Sequence, residues 1–137
     1  MSRVIPLLAF LLAVVAVAVQ GCLVPAEYTD LATKVRGICL GESGTTADVV
    51  DGTCEGNFPD DPKFKAYLKC IVTQLDMLNG DSINYDIVIG MIPAAAKDRL
   101  TQAVNGCRDE TGSDITDKVF NVVKCIYKAD TPDFFMP

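Results

Sequence analysis

The spacing of four cysteines constrains the fold of this chain more than any other feature of its sequence. Cys39, Cys70, Cys107 and Cys125 are separated by 30, 36 and 17 residues. In a secreted chain of this size, cysteines at such intervals indicate a disulfide framework that fixes how helices pack. We therefore expect the function to depend on the shape of the fold, and specifically on a cavity.

The first residues have the organisation of a secretory signal peptide. One basic residue precedes an apolar run over residues 4–19, and small residues suitable for cleavage follow. The predicted leader is residues 1–18, or residues 1–21 if a second acceptable cleavage site is used. A retained membrane anchor is the alternative, but the run is shorter than the roughly 20 residues that a spanning helix needs. We expect a secreted, extracellular protein.

The composition argues against two classes of partner. The formal net charge is −6 at pH 7. Nucleic acids and anionic membranes both require a basic protein surface, so we expect neither as a partner. The mature part, residues 22–137, is long enough to bury a core. We predict a single helical ligand-binding domain there.

The clearest predicted helix begins at Asp61 and Pro62, which are typical of an N-cap and a first helical position. Apolar residues then recur at helical spacing over about 17 residues. Asn79 and Gly80 are predicted to end this helix.

Periodicity and turn residues predict six helices in total and no sheet. The last helix follows Ser113 or Asp114 and has a broad apolar face that extends to Tyr127. Residues 83–92 are β-branched enough for a strand, but they have no partner strand and are assigned to a short helix. The remaining predicted helices are residues 26–40, ended by Gly41, then 46–54 and 94–107.

The sequence carries no signature of catalysis. It contains no histidine, which removes the commonest general base and the commonest zinc ligand. It has no C-x-x-C motif, and residues 41–44 lack the G-x-S-x-G spacing of a nucleophile elbow. We expect neither an enzyme nor a metal site, and no cofactor.

The cysteine spacing resembles that of the insect odorant-binding and pheromone-binding proteins. That family usually has six cysteines, with three residues between the second and third and eight between the fifth and sixth. If the four framework cysteines are the first, third, fourth and sixth, Ala66 and Thr116 stand at the second and fifth positions. The segment KFKAYLKC, residues 63–70, occupies the place of the family's K-C-Y-x-K-C segment. The chain is therefore identified as a member of the four-cysteine, or minus-C, subgroup.

The resemblance implies an all-α fold, a six-helix shell stapled by disulfides around an apolar cavity. The implied disulfides are Cys39–Cys70 and Cys107–Cys125. Cys22 and Cys54 depart from the family pattern. The sequence leaves open whether they form a third bridge, remain unpaired or pair between molecules.

The resemblance also implies a carrier of small hydrophobic molecules, such as odorants, pheromones or similar semiochemicals. Pockets for such ligands are lined mostly by apolar and aromatic groups with a few polar ones. Tyr85 and Tyr127 are the candidate polar groups. The other candidate ligand-binding residues, each of which also suits ordinary core packing, are Leu68, Ile71, Leu75, Ile87, Met91, Leu100, Val104, Phe120 and Val123.

The end of the chain adds a further candidate element. Phe134, Phe135 and Met136 follow a polar stretch that should be solvated, which indicates that the tail folds back over the mouth of the pocket. A frayed terminus is the alternative.

Two alternatives remain open at the level of function. One is a secreted helical interaction protein, such as a venom or seminal component, on the same scaffold without a small ligand. The other is a helical peptidase inhibitor. If the protein is a carrier, we expect its partner to be a small hydrophobic molecule, and we expect contact with an odorant receptor as well. The sequence fits either a monomer or a homodimer.

Overall fold

The computed structural model describes residues 22–137, so the predicted leader, residues 1–18 or 1–21, lies outside the described residues. Within the described residues the fold contains six α-helices, α1 to α6, as the sequence predicts. Their bounds are α1 Thr29–Ser43, α2 Ala47–Asp51, α3 Pro62–Gln74, α4 Tyr85–Gly90, α5 Lys97–Gly106 and α6 Ile115–Ala129. Single 3-10 turns at Ala26–Tyr28, Gly52–Glu55 and Ala94–Ala96 flank α1, α2 and α5.

Side-chain caps explain where the core helices α3 and α6 begin. The carboxylate of Asp61 accepts a hydrogen bond from the backbone N–H of Phe64 at 3.0 Å, with Pro62 at the first helical position. Asp114 accepts one from the backbone N–H of Asp117 at 2.8 Å. Each bond satisfies a backbone donor that has no partner within its helix.

The prediction that the fold has no sheet is wrong. α3 ends at Gln74, earlier than predicted, and the strands β1, Leu78–Asn79, and β2, Ser82–Ile83, form a short antiparallel hairpin. Gly80, with φ of 61°, supplies the left-handed conformation that such a tight loop requires. The Asn79-Gly80 pair therefore turns a hairpin and does not end a helix, and α4 begins at Tyr85 rather than at Ile83.

The first helix also extends further than predicted. Gly41 lies inside α1. The helix is ended by Gly44, the residue after its last turn, whose φ of 73° gives the left-handed conformation of a C-terminal cap. Glycine at the end of a helix is effective only in this conformation.

α3 is the central helix of the fold. It packs against α1 on one side and α6 on the other, and α5 packs against α6 and α4. Phe64, Tyr67 and Leu68 of α3 are almost fully buried, together with Val35 of α1 and Val119 of α6. A second, smaller core cluster joins the region after α4 to α5 and contains Ile92, Leu100 and Val104.

All six cysteines of the sequence are paired in three disulfides. Cys39–Cys70 ties α1 to α3, and Cys107–Cys125 ties the end of α5 to α6, as the resemblance implied. The third bridge, Cys22–Cys54, joins the segment before α1 to the turn after α2. The prediction of a four-cysteine subgroup is therefore wrong, because the two cysteines outside the family pattern pair with each other.

None of the helices between residues 22 and 137 is long and apolar enough to cross a membrane.

Candidate ligand-binding cavity

A cavity of about 170 Å³ lies against both core clusters, and α3 and α6 form much of its wall. Two helices contribute matching stripes to its wall. On α3 the lining residues are Leu68, Ile71 and Val72, followed by Leu75 just after the helix, and on α6 they are Val119, Val122, Val123 and Ile126. Both sets have the spacing i, i+3, i+4 and i+7, which brings side chains to one face of a helix.

The remaining wall comes from shorter elements. The hairpin and the residue before it provide Met77 and Ile83. α4 provides Tyr85 and Val88, and the residues just after α4 provide Met91 and Ile92. α5 provides Leu100 and Val104. The end of the chain provides Phe134, Phe135, Met136 and Pro137. The cavity is therefore almost entirely apolar.

Most of the residues predicted from the sequence as ligand-binding lie on this wall. They are Leu68, Ile71, Leu75, Tyr85, Met91, Leu100, Val104, Val123, Phe134 and Phe135. Three predicted residues do not line it: Ile87, Phe120 and Tyr127.

Each of these three side chains has a different environment. Ile87 is 37% exposed on α4, where its neighbour Val88 faces the cavity instead. Phe120 packs edge-on against Phe64, with ring centroids 6.3 Å apart. Tyr127 packs between Phe58 and Phe134, at 5.2 Å from each ring.

Sequence reasoning missed several wall residues, and the reasons differ. The apolar stripe of α6 that lines the cavity can be recognised in the sequence. However, α6 has a second apolar face, which carries Phe120 and Tyr127, and helical periodicity alone does not show which of the two faces meets the cavity. Met77 and Ile83 depend on the hairpin, which was not predicted. The missed wall residues are Val72, Met77, Ile83, Val88, Ile92, Val119, Val122, Ile126 and Pro137.

The segment after α6, residues 130–137, returns over the cavity and is held at several points. The hydroxyl of Tyr67 donates a hydrogen bond to the main-chain oxygen of Pro137 at 2.6 Å. Phe134 is 5% exposed. Burial raises the pKa of Tyr67 to about 12, so this phenol remains a neutral donor at physiological pH.

An ion pair also holds this segment to α5. Arg99 donates a hydrogen bond from Nη2 to Oδ1 of Asp133 at 3.0 Å, and its Nε lies 2.7 Å from Oδ2. Asp130 is buried beside Asp133, and burial together with that second carboxyl group raises the pKa of Asp130. The carboxyl group of Asp130, at the start of the segment, is therefore harder to ionise than an exposed aspartate.

A second charged cluster connects α3 to α6 outside the cavity. Nζ of Lys65 lies 2.8 Å from a carboxylate oxygen of Asp117 and 2.5 Å from one of Asp60. Hydrogen bonds to Asp117 and Asp60 raise the pKa of Lys65, and the bond to Lys65 lowers the pKa of Asp117. Lys65 and Asp117 directly adjoin Ala66 and Thr116, the two positions where the family pattern has cysteines.

In the part of the chain that the structure describes, no group of three or more acidic or cysteine side chains could hold a metal ion.

Residues 24–129 match the family model described as the PBP/GOBP family. The chain belongs to this family of insect odorant-binding proteins. Its members are small-ligand carriers and not enzymes, so the non-enzymatic prediction from the sequence is confirmed.

Individual relatives are similar over most of the chain. It is 31% identical to the B1 protein of Tenebrio molitor, across 87% of this chain and 91% of that protein. It is 26% identical to general odorant-binding protein 69a of Drosophila melanogaster, across 67% of this chain but only 64% of that protein.

Solved structures of the family have the same fold. Odorant-binding protein 5 of Apis mellifera superposes with a TM-score of 0.78 at 27% identity, covering 85% of this chain and 99% of its own. Odorant-binding protein 7 of Anopheles gambiae, a form with four disulfide bridges in complex with an azo compound, superposes with a TM-score of 0.65 at 26% identity, covering 79% of this chain and 89% of its own. The all-α, disulfide-stapled fold predicted from the sequence is therefore confirmed.

Proposed function

We propose that this protein is a carrier that binds small hydrophobic molecules, such as odorants, pheromones or similar semiochemicals, in the cavity between α3 and α6. The observation that supports this most directly is a cavity of about 170 Å³ whose wall is almost wholly apolar. Burial of an apolar ligand there removes its surface from water, which favours binding by about 25 cal/mol per Å². The family of the chain supports the same function.

The first test compares two substitutions on the same short stretch of chain. Met91 lines the cavity, whereas Ile87 faces outward. Met91→Trp should fill part of the cavity and weaken the binding of a fluorescent apolar probe by about tenfold or more, since overpacking costs about 1 to 3 kcal/mol. Ile87→Trp should leave the affinity within about twofold of the original, because surface substitutions are usually worth less than about 0.5 kcal/mol.

Displacement of N-phenyl-1-naphthylamine, followed by its fluorescence, measures both affinities. Equal affinities for the two variants would contradict the assignment of the cavity as the binding site. No binding of any apolar probe by the unmodified protein would contradict the carrier function itself and would favour an interaction protein on the same scaffold.

We infer further that residues 130–137 slow the release of the ligand. Phe134 and Phe135 line the cavity, and the segment is held by Tyr67 and Arg99. Truncation after Asp130 should therefore speed the dissociation of the probe in a stopped-flow experiment. Arg99→Gln, which removes only the ion pair with Asp133, should have a smaller effect, and an unchanged rate in the truncated protein would rule out this role.

The same proposal includes secretion, with cleavage of the leader after residue 18 or 21. The mass of protein collected from the medium of insect cells distinguishes the two cuts, and retention of the intact leader would contradict both. We also propose that the carrier delivers the ligand to an odorant receptor, and that it does so as a monomer or as a homodimer. Size-exclusion chromatography with light scattering separates those two states.

A further inference from the structure

The cavity wall contains one side chain that can donate a hydrogen bond. Among the described residues that line it, Tyr85 carries a hydroxyl, and all the others are leucine, isoleucine, valine, methionine, phenylalanine or proline. A polar group in such a wall fixes the orientation of a ligand and selects its chemistry.

The hydroxyl of Tyr85 is weakly engaged within the protein. Its acceptor is the main-chain oxygen of Arg108 at 3.5 Å, well beyond the 2.5 to 3.0 Å that is usual for an O–H donor. The hydroxyl of Tyr67, by contrast, bonds to Pro137 at 2.6 Å. Of these two phenols, Tyr85 is therefore the one whose O–H donor has the weaker partner within the protein.

The ring of Tyr85 is nevertheless held in position. The guanidinium carbon of Arg108 lies 4.8 Å from the ring centroid, on its face, and the ring packs against the small core cluster of Ile92, Leu100 and Val104. Burial raises the pKa of Tyr85, so the phenol stays neutral and is a donor at physiological pH. A positioned donor of this kind loses little freedom on binding a ligand.

We propose that Tyr85 is a specificity-determining residue, and that the preferred ligands are apolar molecules with one oxygen acceptor, such as a ketone, an ester or an ether. This inference rests on the proposed carrier function and specifies its ligand class. A hydrocarbon of equal size gains the same apolar burial but leaves the hydroxyl with only its long contact to Arg108, and a poorly satisfied buried donor carries a penalty. A charged ligand would be desolvated without a counter-charge on the wall.

The test uses two ligands of matched shape. In 2-nonanone the carbonyl oxygen occupies the place of the terminal methylene of 2-methyl-1-nonene, so the pair differs in hydrogen bonding far more than in volume. Both are titrated as competitors of N-phenyl-1-naphthylamine. Tyr85→Phe removes the hydroxyl and keeps the ring, and Tyr28→Phe, on the 3-10 turn before α1 and away from the wall, is the matched control.

Tyr85→Phe should weaken the binding of 2-nonanone by about two- to tenfold, the range expected for one neutral hydrogen bond. It should leave 2-methyl-1-nonene unchanged or slightly tighter, and Tyr28→Phe should change neither. If the ratio of the two affinities is the same in Tyr85→Phe as in the unmodified protein, the assignment of Tyr85 is overturned while the carrier function stands. If no apolar competitor displaces the probe from the unmodified protein, both are overturned.

Discussion

At the residue scale, the loop before α6 depends on a single glycine. A Cβ atom at Gly112 would lie 2.3 Å from the backbone nitrogen of Lys118 and 2.6 Å from the carbonyl carbon of Asp117. Neither atom can move without disturbing the first turn of α6, where Asp114 caps the helix. Because Gly112 has no side chain, its backbone can lie close to the first turn of α6. We infer that this close approach sets the orientation in which α6 presents Val119 and Val122 to the cavity.

Gly112→Ala should therefore lower the free energy of unfolding by about 2 kcal/mol or more, as overpacking against backbone does. Gly106→Ala is the control, because a Cβ atom there has no neighbour within 4 Å, and alanine is favoured over glycine in a helix. Urea denaturation followed by circular dichroism measures both. A midpoint for Gly112→Ala equal to that of Gly106→Ala would contradict the close approach.

At the element scale, the contact between α3 and α6 forms much of the cavity, and no disulfide joins these two helices. The ion pair of Lys65 with Asp117 spans this contact. Lys65 also pairs with Asp60, which precedes α3, and its Nζ lies 4.9 Å from the ring centroid of Phe120 on α6. Ala66 on α3 and Thr116 on α6 stand where the family pattern has cysteines, and without a bridge there we expect a looser contact between these helices. The charged cluster beside the two residues works against that loosening. The strength of such a contact depends on salt and pH, unlike that of a disulfide.

Lys65→Met should destabilise the fold more than Lys69→Met, an exposed substitution on the same helix. Its effect should shrink in 1 M salt, because ions screen the charges that it removes. Asp117 has a lowered pKa in the folded state, so its contribution is present above the unfolded pKa of about 3.9. That contribution is lost as the pH falls through the lower, folded value.

Thermal melts of both variants between neutral pH and pH 2 measure this dependence. The difference between the variants should be largest near neutral pH and should close in acid. Equal melting temperatures for the two at neutral pH would show that the ion pairs contribute nothing to the contact.

At the scale of the whole molecule, the three disulfides divide the fold into a fixed part and a less constrained part. One bridge joins the segment before α1 to the turn after α2, the second joins α1 to α3, and the third joins the end of α5 to α6. No bridge reaches the hairpin, α4 or residues 130–137 among the described elements. These parts of the cavity wall depend on packing, and we expect the ligand to enter there.

The sequence predicted much of this architecture because its strongest signals are local. The Asp61-Pro62 start of α3 and the cap of α6 rest on short-range hydrogen bonds, and two disulfides followed from the family spacing. The hairpin was missed because Asn79-Gly80 suits a helix end as well as a turn, and only the pairing of Leu78 with Ile83 decides between them.

The wall of the cavity was predictable in part for a related reason. The stripes on α3 and α6 can be recognised from helical periodicity, but which apolar face of α6 meets the cavity depends on the rotation of the helix against α3. That rotation is set by packing and by long-range contacts such as Lys65 with Asp117. The bridge between Cys22 and Cys54 is likewise a tertiary contact, between segments whose local sequence does not specify pairing.

The most direct test of the central claim is a crystal structure of the protein with an iodinated apolar ligand, such as 1-iodooctane, located by the anomalous signal of iodine. A single strong peak is expected inside the cavity, within van der Waals contact of Leu68, Val122 or Phe135. A peak confined to the outer surface, such as the groove beside Glu42 and Lys69, or no peak in crystals saturated with the ligand, would contradict this claim.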